Sequence, residues 1–163
     1  MTAYLYRMPA GIAGAVSRPQ DLTIEPVIIN SATPFSQYGL AGKFSGNFFV
    51  PLEEDDTADK IVGIFVRPFP TTSTPDKVRQ IGTGNHFAGD ALKRGYLSVN
   101  IGATAAGVTK GAPVYIRIAA ATDASPLGSV LATAIADVTV VLPNTYFTGA
   151  GDAAGNTEIS YKI

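Results

Sequence analysis

The chain holds a single histidine, His86, in the stretch GTGNHFAGD, and no cysteine at all. A histidine acting as general base needs a nucleophile to serve and a third group to orient it, so without a thiol the nucleophile would be a serine or threonine. No serine stands in the G-x-S-x-G setting of a nucleophile elbow. A loop histidine bonded locally or to water is the expected state of His86. Gly82-Thr83-Gly84 has the opening of a phosphate loop, but the third glycine and the following helix are missing, and a loop turn is predicted instead. The acids Glu53, Glu54, Asp55, Asp56 and Asp59 could offer oxygens to calcium, yet their spacing lacks the alternate ligands, central glycine and closing glutamate of an EF-hand loop. They are expected to form a solvated surface loop, the usual role of a charge run. Asp152, Gly155 and Asn156 have the residue types of a tight turn. Nothing in the spacing of the carboxylates recommends a glycosidase pair. No catalytic, cofactor-binding or metal-ligating residue is assigned, and the expectation is a protein that is not an enzyme.

The elements that would carry any such site are strands. In 163 residues there are 17 glycines and 11 prolines spread along the chain, the punctuation of many short strands and turns. IVGIFV, residues 61–66, is a continuous apolar run stopped by Arg67 and Pro68, which predicts a strand covered on both faces. GYLSVNI, residues 95–101, alternates Leu97, Val99 and Ile101 with Tyr96, Ser98 and Asn100, as a strand with one buried face does. APVYIRIA, residues 112–119, places Val114, Ile116 and Ile118 opposite Tyr115 and Arg117, and VTKG before it reads as a turn. Residues 138–142 and 145–147 read as strands either side of a corner at Pro143-Asn144. Residues 158–163 alternate again. Residues 22–29 and 43–50 form weaker candidates, the second with Gly46 as a bulge. Helix is nearly unrepresented: residues 75–81 are a short candidate, and residues 88–93 offer one helical turn. PTTSTPD, residues 70–76, reads as a surface loop. The predicted fold is all-β, a compact β-sandwich or jelly-roll-like barrel, with long loops and one domain.

Composition narrows the partners. Charged residues make up only 15%, against about 25% in soluble domains, which suits a protein that covers part of its surface with another. Twelve basic and 13 acidic residues leave a formal charge of -1, so no positive field favours nucleic acid or an anionic membrane. No apolar run approaches the ~20 residues of a membrane span. Arg7 and Pro9 interrupt any signal-peptide core, which predicts synthesis in a cytoplasm. Without cysteines there is no disulfide framework and no thiolate metal site.

Taken in order, RMPAGIAGAVSRPQDLTIEP, QYGLAGKF, the acidic loop with IVGIFVRPFPT, LKRGYLSVNI, GAPVYIRIA and LPNTYFTGAGDAAGNTEISYKI closely resemble the structural cement, or head-decoration, proteins of tailed bacteriophages. The resemblance runs over nearly the whole chain, residues 122–136 being the least distinctive. It implies a small β-protein on the exterior of a capsid, with the major capsid protein and its own copies, as a homo-dimer or homo-trimer, for partners. Residues 1–20 are then expected to be an N-terminal arm that leaves the β domain of residues 21–163. Its interface residues would be Tyr4, Tyr6, Arg7, Met8, Pro9, Ile12, Val16, Arg18 and Pro19, types that interface centres favour. Pro9 and Pro19 would stiffen the arm, and Gly11 and Gly14 would let backbones approach closely. The same residues also permit Ile12 and Val16 to cap the domain's own core, with Arg7 and Arg18 as surface charges. Two rival functions remain: a virion β-module that stacks glycans on Tyr38, Tyr96 or Tyr115, and a jelly-roll enzyme built around His86.

Overall fold

The computed structural model describes residues 11–68 and 86–163. Among them are nine strands: β1 (Val16–Asn30), β2 (Ala41–Ser45), β3 (Phe48–Pro51), β4 (Gly63–Phe65), β5 (His86–Asn100), β6 (Pro113–Arg117), β7 (Val130–Leu131), β8 (Thr139–Phe147) and β9 (Asn156–Tyr161). Two short 3-10 turns, Ala58–Lys60 and Gly102–Gly107, are the described helical pieces, and none is long and apolar enough to cross a membrane. The fold is all-β, of the sandwich and barrel kind.

One sheet runs in the order β1-β3-β2-β4-β5-β9-β8-β6-β7, and β1 also pairs with β5. That extra pairing closes β1, β3, β2, β4 and β5 into a small barrel. β1 and β5 run antiparallel from Asn30 opposite His86 to Val16 opposite Leu97, with register shifts between Val16 and Ile24. The remaining strands, β9, β8, β6 and β7, form a leaf that folds back on the barrel. β5 is long enough to serve both, pairing with β4 at Ala91 and Leu92 and with β9 from Gly95 to Asn100.

Two cores follow from this arrangement. Inside the barrel, Val27, Ile29, Phe49, Phe65 and Ala91 meet Phe35, Tyr38 and Leu40 from the connection between β1 and β2. Phe35 stacks on Phe49 at 5.0 Å and on Phe65 at 4.6 Å. Gly42 makes room for those rings, since a Cβ there would lie 2.6 Å from Phe49 and 2.7 Å from Phe35. Between barrel and leaf, Ile64, Leu92, Leu97 and Val99 pack on Val114, Ile116, Leu142, Phe147, Ile159 and Tyr161. β4 contributes Phe65 to one core and Ile64 to the other, so the run at 61–66 is covered on both faces as its continuous hydrophobicity predicts.

Several local readings are corrected. Residues 88–93, read as a helical turn, lie in β5, because pairing with β1 and β4 outweighs their weak local preference. Gly46 is not a bulge: Ser45 pairs with Phe48, and Gly46, at φ 58°, starts a two-residue hairpin loop in the position that favours glycine. Pro143-Asn144 does not separate two strands, because β8 runs through it, with Asn144 at φ 52°. His86 is not in a loop but is the first residue of β5, exposed, its ring 4.3 Å from that of Phe48. The Asp152 turn forms as read: Asp152 Oδ1 accepts from the Ala154 and Asn156 amides, and Gly155 takes φ 87°. The helix candidate at 75–81, the PTTSTPD loop and the Gly82-Thr83-Gly84 step lie outside the described residues.

Candidate functional site

Of the nine interface residues expected from the sequence, Tyr4, Tyr6, Arg7, Met8 and Pro9 lie outside the described residues. The other four can be placed. From Gly11 onward the chain lies against its own body. The Gly14 amide donates to the Ser98 carbonyl at 2.8 Å, and the Ser98 amide donates to the Ala15 carbonyl at 2.9 Å. Arg67 ties the same segment from the other side, its amide donating to the Gly14 carbonyl at 2.7 Å and its Nε to the Ala13 carbonyl at 3.1 Å. Gly14 is required twice over. Its φ is 81°, and a side chain there would run into Tyr38.

Val16 packs against the core between barrel and leaf, whereas Ile12 is 44% exposed and Pro19 is exposed on β1. Arg18 turns inward to its own chain. Its Nε and terminal nitrogen donate to the two carboxylate oxygens of Glu158 on β9 at 2.8 and 2.7 Å, the planar fork that arginine is shaped to make. The guanidinium also lies 4.4 Å from the Tyr96 ring centre. Ser17 and Thr148 hydroxyls add hydrogen bonds to Glu158 at 2.9 Å each. Burial pulls the Glu158 pKa up, but these bonds, led by Arg18, outweigh it and hold the carboxyl below its usual range. The β1 start is thereby pinned to β5 and β9 by backbone, aromatic face and charge together.

The acidic loop is not uniformly solvated, and here the sequence reading is corrected. The Asp56 side chain is only 3% exposed. It accepts from Lys43 at 2.8 Å, from Lys60 at 2.9 Å and from the Glu53 amide at 2.8 Å, while Lys43 also reaches Glu53 at 2.6 Å. Burial raises the Asp56 pKa; hydrogen bonds from Lys43, the Glu53 amide and Lys60 overturn that and leave it lowered. The signal was Lys43, half-way along β2 among apolar neighbours and needing a counter-charge. Tyr38, one of the three tyrosines considered for glycan stacking, is buried in the barrel core, 5.0 Å from Phe65. Tyr96 and Tyr115 are half-buried. Among the described residues no group of three or more histidines and carboxylates is arranged to hold a metal ion.

The family model of the XM1 gp53 minor capsid protein matches residues 1–161. The chain belongs to that family. A solved structure described as "The capsid of Myoviridae Phage XM1" is similar at 17% sequence identity, covering 97% of this chain and 94% of that one with a TM-score of 0.63. At that identity the likeness shows a shared fold. No curated protein matches. This minor capsid protein is therefore a structural component of a phage capsid and a virion protein.

Proposed function

We propose that this minor capsid protein is a decoration, or cement, protein. It binds the exterior of the head as an oligomer and ties neighbouring capsomers of the major capsid protein together. The observation that carries the reading is the family match over residues 1–161, in a chain whose motif series resembles cement proteins over nearly its whole length. A charged fraction of 15% agrees with a surface spent on partners. Several modest contacts per oligomer suffice, because simultaneous engagement commonly raises affinity by about 10² to 10⁴.

In this reading Tyr4, Tyr6, Arg7, Met8 and Pro9, with exposed Ile12 and Pro19, touch the shell. Val16 and Arg18 hold the root of that segment on its own sheet. The test follows from where the root begins. Deleting residues 2–10 leaves Gly14, Val16 and Arg18 in place, so the variant should keep its circular dichroism spectrum and melting temperature while losing co-sedimentation with expanded heads. The intact protein is expected to bind expanded heads and not the unexpanded precursor. Failure of the intact protein to bind heads, or its location inside the shell by cryo-electron microscopy, overturns the reading.

A further inference from the structure

A hydrogen bond joins the margin of the barrel to that of the leaf. The Ala41 amide, at the start of β2, donates to the Gly128 carbonyl, just ahead of β7, at 2.9 Å. From that bond the chain runs back through Leu40 and Gly39 on the barrel side and forward through Ser129, Val130 and Leu131 on the leaf side. The two segments border a cleft of about 380 Å³, which Asn100 and Ile101 at the end of β5 also line. Clefts that hold ligands measure about 300 to 1,000 Å³.

One wall of the cleft is a sheet edge. β7 ends the strand order. Toward β6, the Arg117 amide donates to the Ser129 carbonyl at 2.9 Å and Tyr115 pairs with Leu131. Successive residues of an antiparallel strand bond to opposite sides, so the Val130 amide and carbonyl point away from β6, on the margin where Gly128 receives Ala41. The Val130 side chain is buried in the core while the residue lines the cleft. Among the described residues, none bonds to the Val130 backbone on that margin. Two residues are too few for indiscriminate sheet extension, so an added strand would be held by the cleft's walls as much as by the ladder.

The cleft also has a charge. Arg117 is the charged residue among those lining it, and no described carboxylate forms an ion pair with it. Its Nε donates to the Ser125 hydroxyl at 3.0 Å and a terminal nitrogen to the Ala120 carbonyl at 2.7 Å. Both acceptors are neutral. They hold the guanidinium in place and leave its other donors and its charge unanswered.

We propose that this cleft takes an extended acidic segment of a partner protein, which adds a strand to β7 through the Val130 backbone and sets a carboxylate on Arg117. Main-chain pairing gives affinity with little regard to sequence, and the planar fork of arginine selects the carboxylate. The proposal goes beyond the cement reading and holds whichever side of the shell the protein occupies.

Random peptides of about six residues, the usual length of a strand, displayed on beads and selected on the intact protein, are expected to converge on sequences with a fixed Asp or Glu. The selected peptide, labelled with fluorescein, should bind about tenfold or more weakly to Arg117→Gln, and the same loss should follow from exchanging its acid for the amide. A cooperative melting transition verifies that the variant is folded. Methylating the peptide's backbone nitrogens one at a time should abolish binding at the position that donates to the Val130 carbonyl, a readout that leaves the protein untouched. Arg117→Glu should turn the selection toward Lys and Arg. Convergence without an acid, binding indifferent to Arg117→Gln, or binding indifferent to every methylation overturns the proposal. Self-association of the intact protein that the peptide competes away and Arg117→Gln abolishes makes a second copy the occupant, and overturns it equally.

Discussion

Asp56→Ala should be among the most damaging changes at any polar position of the described surface. The substitution removes the acceptor of two ammonium groups and of the Glu53 amide. Lys43, whose side chain is only 12% exposed, would keep Glu53 alone, and that glutamate stands largely in water. Breaking a buried pair from one side costs about 3 to 5 kcal/mol. Lys43 retains one carboxylate and Lys60 is half solvated, so the lower end applies, about 3 kcal/mol. For a chain of this size that lowers the melting temperature by roughly 6 to 12 °C. Guanidinium and thermal unfolding followed by circular dichroism and tyrosine fluorescence, there being no tryptophan, would measure it. Lys43→Met alone should cost a comparable amount, while Asp56→Leu with Lys43→Met should recover much of the loss, because neither charge is then left alone. A loss below about 1 kcal/mol for Asp56→Ala would mean that the carboxylate behaves as an exposed one and would refute the argument.

Three further outcomes are expected. Gly14→Ala forces a side chain into Tyr38 at a left-handed backbone position, and should cost about 3 kcal/mol or more, read as a fall in denaturation midpoint. Asp56 and Glu158 are both held below their ordinary values of 3.8 and 4.5; their contribution is complete above those values and disappears as pH falls through the lowered ones, so acid titration should destabilise the protein from about pH 4 downward. Glu158→Gln should flatten part of that acid slope, and an unchanged slope would sink the assignment. Phe35→Ala, in the middle of the ring stack between Phe49 and Phe65, should cost about 3 to 5 kcal/mol without affecting oligomeric state.

What could be read in the sequence was whatever the local pattern decides. The buried run at 61–66, the alternation at 95–101 and 113–117, and the Asp152 turn all depend on neighbours within a few residues, and all four form as read. The first half of β5 could not be read this way. Gly89, Asp90 and Lys93 have poor strand preferences, and they are strand only because β1 and β4 supply partners from distant parts of the chain. Asp56 was misread for the same reason, since its counter-charge Lys43 comes from β2. Arg18 was read by type as an interface residue or a surface charge, and only the folded chain shows its fork on Glu158. The ring closure itself, which joins the segment after Gly11 to the barrel, has no local signature.

That closure makes the timing of folding unequal along the chain. β1 is synthesised well before β5, yet it finds its antiparallel partner only when residues as far along as Leu97 exist. Contacts of such separation are slow to form, and an unpaired strand meanwhile is open to wrong partners. β1 carries its own protection during the wait, with Arg18, Asp21 and Glu25 for charge and Pro19 and Pro26 to spoil a ladder. The residues that blunt the strand in the finished protein therefore also guard the newborn one, and removing them should lower the yield of soluble protein before it lowers the melting temperature.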